Sequence, residues 1–164
     1  QHMTQDLRIS SSLATHPGAS ASTLVSAILS PLAPVLMPAE KPEDLAALTP
    51  GQRAVALLAQ ADSDMRDEGV RALLENWAGL TALIVDAAET VGSPTHAALL
   101  RRVLATLPEG ALKEWDTLST ALDDVAEAAE PEWRALKRDW AQAGDVDVLC
   151  KAYIMAHREE FFTD

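Results

Sequence analysis

The chain has 164 residues, 48% of them hydrophobic and 23% charged, which suits one compact domain and excludes general disorder. Its 25 acids against 13 bases give a formal net charge of -12, a field that repels nucleic acid and anionic lipid and so excludes both as direct partners. The single cysteine, Cys150, follows Val148 and Leu149 and reads as a small buried core residue in a reducing, cytoplasmic setting.

In chain order, Gln1-His2 ahead of Met3 reads as a cloning remnant. Residues 1–22 are expected to form a flexible lead-in, with Ser, Thr, Ala and Gly prominent between 4 and 20. The domain proper is expected over 23–164 and begins with a short helix near Thr23. Leu24 to Met37 is apolar, but Pro31 and Pro34 interrupt it and it is too short to span a bilayer, so it is expected to pack on the body. Pro42-Glu43-Asp44 starts a turn of helix. Thr49-Pro50 then supplies an N-cap and a first-turn proline for a longer helix bearing Val55, Leu58 and Ala59.

From Val70 the three-and-four spacing of Leu73, Leu74 and Trp77 predicts a helix that bends at Gly79. Leu80, Leu83, Ile84, Ala87, Ala88 and Val91 continue to a C-terminal cap at Gly92, and Ser93-Pro94 restarts a helix carrying Leu100, Val103, Leu104 and Leu107. Leu112, Trp115, Leu118, Leu122 and Val125 give one more, which Pro131 is expected to end or kink. Trp133, Leu136, Lys137 and Trp140 share a face of the next. Asp145 or Asp147 caps a last helix whose Leu149, Ala152, Tyr153 and Ala156 are expected to face inward. No alternating strand pattern occurs. The fold class is therefore all-α, a single domain of about six to eight helices. Its expected core holds Leu73, Trp77, Leu83, Ile84, Leu100, Leu104, Trp115, Leu122, Trp140 and Tyr153.

Catalytic and cofactor signatures are absent: no glycine-rich phosphate loop, no Gly-x-Ser-x-Gly, no His-Glu-x-x-His and no paired cysteines. His2, His16, His96 and His157 share no metal-ligand spacing. His157 with Glu160 reads as surface charge, and Asp62, Asp64, Asp67 and Glu68 lack the glycine and terminal glutamate of a calcium loop. No metal and no cofactor is expected, and the chain reads as a binding protein and not an enzyme.

Asp67-Glu68-Gly69-Val70-Arg71-Ala72-Leu73-Leu74-Glu75-Asn76-Trp77-Ala78-Gly79 resembles a motif of the bacterial DNA-mimic protein family, small acidic all-helical proteins. Asp67, Glu68 and Ala72 stand where the family motif has Asn, Gly and Gln, while Gly69, Asn76 and Gly79 match it. Leu48 to Arg53, Ala87 to Ser93, Leu104 to Pro108, Leu136 to Trp140 and Tyr153 to Phe161 are similar to its flanking segments. Within the motif, Gly69 and Gly79 are expected to permit bends or close packing, and Asn76 to bond backbone at a helix end. The resemblance implies a fold, a homodimer, and a surface offered to a DNA-binding protein, with a role in transcription regulation.

The candidate surface follows from charge placement. No base occurs between Lys113 and Arg134, while Glu114, Asp116, Asp123, Asp124, Glu127, Glu130 and Glu132 do. On a helix Asp116, Asp123, Glu127 and Glu130 share one face, opposite the apolar stripe. The helix rises roughly 25 Å between Glu114 and Glu130, one acid per about 4 Å, against a charge about every 3.4 Å along one DNA strand. No neighbouring base is expected to relieve the repulsion. Asp62, Asp64, Asp67 and Glu68 form a secondary acidic cluster. The expected partner is a basic protein, either a DNA-binding protein or, in the alternative reading, a toxin neutralised by an immunity protein in the cytoplasm.

Overall fold

The computed structural model describes residues 6–13, 18–111 and 115–164. Among them are seven α-helices of eight residues or more: α1 (Ala21–Leu29), α2 (Pro50–Asp67), α3 (Val70–Trp77), α4 (Thr81–Val91), α5 (Pro94–Ala105), α6 (Trp115–Ala141) and α7 (Val146–Ala156). Single turns at Ala33–Leu36 and Arg158–Phe161, with short 3-10 segments, complete the all-α domain.

Local chemistry sets most helix boundaries. The Thr49 hydroxyl accepts the Gln52 amide while the Gln52 side chain accepts the Thr49 amide, a reciprocal cap that starts α2. Ser20, Ser93 and Asp145 cap α1, α5 and α7 one way only, each side chain accepting the amide three residues on. Gly92 closes α4 at φ 97°, a left-handed conformation that costs glycine little.

Helix α2 is the centre of the packing. Ala54, Val55, Ala56, Leu57, Leu58, Ala61 and Met65 are all buried, too many consecutive positions for one face, so α2 is surrounded. It packs against α1, α3, α4, α6, α7 and the Arg158–Phe161 turn. Apolar Leu24, Val25, Ile28, Leu32 and Leu36 pack onto the body as expected.

The structure differs from the sequence expectations at several places. Pro131 does not end its helix, since α6 runs from Trp115 to Ala141 with the proline inside it. The missing proline amide frees the Glu127 carbonyl on an exposed stretch, where water can satisfy it, while Trp133, Leu136 and Trp140 fasten the following turns in the core. Leu83, Leu104 and Tyr153 pack against the core but are only half-buried. The side chain of Trp115 lies outside the described ones, as do residues 112–114. In α7 the inward residues are Val146, Cys150 and Ile154, and Ala152 and Ala156 are exposed. The choice between these neighbouring stripes depends on the approach of α1 and α2, which local periodicity does not encode.

The N-terminal lead-in, over Asp6–Leu13, is attached to the other end of the chain. Ile9 donates its amide to the Phe161 carbonyl and accepts from Thr163, a bridge with Phe162, and Ser11 donates to the Asp164 carboxylate. Leu7 and Phe162 are buried by this pairing.

The motif glycines have separate geometric duties. Gly69, between α2 and α3, adopts φ 108°, which side chains other than hydrogen rarely tolerate. Gly79 is required for space, because a Cβ there would lie 2.1 Å from the Glu40 carbonyl oxygen. Gly79→Ala should therefore destabilise the fold by about 1–3 kcal/mol, the usual cost of overpacking a filled contact, as measured by urea denaturation. A midpoint equal to that of the unmodified chain would refute the close approach.

Candidate protein-interaction face

Leu122, Trp133, Leu136 and Trp140 recur on the inward side of α6 and leave its acids outward. Asp123, Asp124, Glu127 and Glu130 are exposed and Glu132 is half-buried. Glu114 lies outside the described residues, and so does the side chain of Asp116.

This face is not free of nearby base, contrary to the sequence expectation. Arg71 of α3 reaches Asp123 at 2.5 Å, Arg102 of α5 binds Glu132 at 2.9 Å, and Arg134 binds Glu130 at 2.6 Å one helical turn away. Arg102 also meets Asp139 at 3.1 Å. These are exposed pairs, so they orient side chains and lower the local field more than they stabilise the fold. Asp124 and Glu127 have no ion-pair partner among the described residues. The Arg134 pair has the spacing of helical neighbours and could have been found in the sequence. The Arg71 and Arg102 pairs join different helices and leave no local signal.

The secondary cluster divides into two kinds of residue. Trp140 Nε1 donates to Asp62 Oδ1 at 2.8 Å, and Arg66 Nε to the same oxygen at 3.0 Å. Trp77 Nε1 donates to Asp64 Oδ2 at 2.7 Å, joined by Asn76 Nδ2 at 3.3 Å. Motif residue Asn76 thus bonds a carboxylate and not backbone. Both aspartates are acceptors for core tryptophans, while Asp67 and Glu68 remain exposed at the turn between α2 and α3.

Glu160 likewise has a structural role. Its Oε1 accepts the Gly51 amide at 2.7 Å, placing a carboxylate at the positive N-terminus of α2, and Tyr153 donates to its other oxygen at 3.4 Å. His157 donates Nδ1 to the Tyr153 carbonyl and stacks on the Tyr153 ring. Cys150 is fully buried, and burial pushes its thiol up to about 12, so it is inert as a nucleophile at neutral pH.

His96 is fully buried, with Nδ1 bonded to Ser93 Oγ and its ring edge-on to Trp140 at 4.7 Å. Its Nε2 has no hydrogen-bond partner among the described residues. Burial holds the imidazole below its ordinary 6.5, with Asp62 opposing that shift and Arg66 adding to it.

Two consequences can be measured. Asp64→Ala orphans the indole N–H of buried Trp77 and should cost about 1–3 kcal/mol, whereas Asp64→Asn keeps an oxygen acceptor and should cost less. Equal losses in urea denaturation would exclude the acceptor role. For His96, the unfolded imidazole takes up its proton near its ordinary value while the folded one resists until lower pH. Stability is therefore full above that value and falls as pH drops below it. The urea midpoint should be lower at about pH 5 than at about pH 7.5, and His96→Gln should flatten the difference. An unchanged slope in that variant would assign the loss to another group.

The DMP19-like protein family matches residues 46–157, from the turn ahead of α2 to the end of α7. No curated protein and no solved structure matches the chain. The match covers the Gly69–Gly79 motif, the central helix and the whole acidic face, and the chain belongs to the DMP19-like family of DNA-mimic proteins.

Proposed function

We propose that this chain is a non-catalytic binding module of the cytoplasm that offers the outer face of α6 to a basic protein, in place of DNA. The observation that carries the reading is the row of exposed carboxylates at Asp123, Asp124, Glu127 and Glu130 on one long helix, in a chain of a DNA-mimic family. Carboxylates repeated along a rigid rod at intervals near those of a DNA strand present a similar field to a DNA-binding surface. A DNA-binding protein that regulates transcription is the partner such a field suits best.

The arginine pairs refine which groups bear the interaction. A partner's lysine or arginine must compete with Arg71 for Asp123 and with Arg134 for Glu130. Among the described residues it meets no such competitor at Asp124 and Glu127, so these two carboxylates dominate.

Binding is testable with a DNA-binding protein captured from the native host on the immobilised chain and then purified. Asp124→Asn with Glu127→Gln should weaken its binding by about tenfold or more, and Asp123→Asn with Glu130→Gln by less. Added salt should weaken binding mainly through the association rate, because exposed charges steer encounter over a Debye length of about 8 Å. DNA should compete with the chain for the partner. Affinity indifferent to all four substitutions would remove α6 as the working face, and inhibition of a toxin domain whether or not DNA occupies it would favour an immunity protein instead.

A further inference from the structure

Beside the acidic row, α6 and the turn that follows α5 border an open groove of about 580 Å³, lined by Leu107, Pro108, Val125, Ala128 and Ala129 together with the exposed Asp124. Ligand-binding clefts commonly have volumes of about 300–1,000 Å³. Thr106 also lines it, but its hydroxyl is already used, accepting from Trp133 Nε1 at 2.8 Å and donating to the Val103 carbonyl at 2.7 Å. The groove therefore has apolar walls and, among its described lining residues, one polar group free to meet a ligand, the unpaired carboxylate of Asp124.

We infer that this groove seats an amphipathic basic segment of the protein partner, an aliphatic side chain entering between Leu107 and Val125 while an adjacent arginine or lysine meets Asp124 and Glu127. The inference rests on the acidic-face reading and adds an apolar anchor to it. Charge complementarity selects the occupant: an acidic or neutral segment would leave Asp124 unpaired, and a nucleic acid would bring phosphate against it. An anchor of this kind also resolves a difficulty of purely electrostatic mimicry, since exposed charges steer encounter but discriminate weakly among basic partners. An aliphatic group buried in a shaped groove adds selectivity and slows dissociation.

The test uses the full chain and two synthetic helical peptides of about 15 residues and equal positive charge. One carries leucines on adjacent turns between arginines; the other has serine at those positions. The leucine peptide should bind about tenfold more tightly, and its titration should shift the methyl resonances of Leu107, Val125 and Ala129. Ala128→Asp should reduce its affinity to that of the serine peptide even though the variant is more acidic, because the added carboxylate blocks the groove. Asp124→Asn with Glu127→Gln should weaken both peptides. If the two peptides bind equally and Ala128→Asp strengthens both, the groove is overturned while the acidic face stands. If neither peptide binds, or neither responds to the Asp124 and Glu127 changes, both readings fall.

Discussion

Asp62 and Asp64 lie two residues apart near the end of α2, so their side chains leave the helix in widely different directions. Each accepts the indole N–H of a buried tryptophan, Trp140 of α6 and Trp77 of α3. Those two bonds fix the neighbours of the central helix on two sides, and the rest of the domain is arranged around that fixture. A buried indole needs an acceptor, and a carboxylate at the edge of the core satisfies it while keeping contact with water. His96 extends the same assembly, edge-on against Trp140 and within the field of Asp62. The charge that looks like a surface cluster in the sequence is therefore partly committed to holding the helices together.

Helix starts and stops were legible wherever they depend on a few consecutive residues. Thr49-Pro50-Gly51-Gln52, Gly92-Ser93-Pro94 and Asp145 act through bonds within one turn, and the structure shows those caps. Pro131 shows the limit of the same reasoning. Its local penalty is real, but packing of Trp133, Leu136 and Trp140 continues the helix across it. The inward face of α7 is legible only in part for a related reason: Cys150 is buried, Leu149 and Tyr153 pack against the core, but Ala152 and Ala156 are exposed, because the approach of the neighbouring helices centres the face on Val146, Cys150 and Ile154. The candidate face was legible as an exposed row of acids, whereas Arg71 and Arg102 come from distant sequence and become its neighbours only in the folded chain.

The chain ends are tied by equally distant contacts. Ile9 pairs with Phe162, Ser11 binds Asp164, and Glu160 occupies the N-terminus of α2. A composition rich in small polar residues predicts little order for the lead-in, yet Leu7 finds a buried place. Glu160 also shows why a His-Glu spacing is weak grounds for a metal: the carboxylate is already used by an amide and a phenol, and the histidine by a carbonyl.

A surface that stands in for DNA must hold its charges at fixed intervals, and like charges on a flexible segment would instead spread apart. In the proposed role α6 suits that requirement, because it is anchored through its later turns, where Trp133, Leu136 and Trp140 are buried, and by Leu122 further forward. The arginines from α3 and α5 then bind its flanks, which restrains Asp123 and Glu132 without covering Asp124 or Glu127. What remains presented is narrower than the count of acids suggests: Asp124 and Glu127, which have no ion-pair partner among the described residues, beside an apolar groove and within a longer row of paired acids. On the proposed reading, long-range attraction comes from the whole net charge of -12, and short-range recognition from those two groups and the groove. That reading gives rate and selectivity to different parts of one helix face, which substitutions can separate.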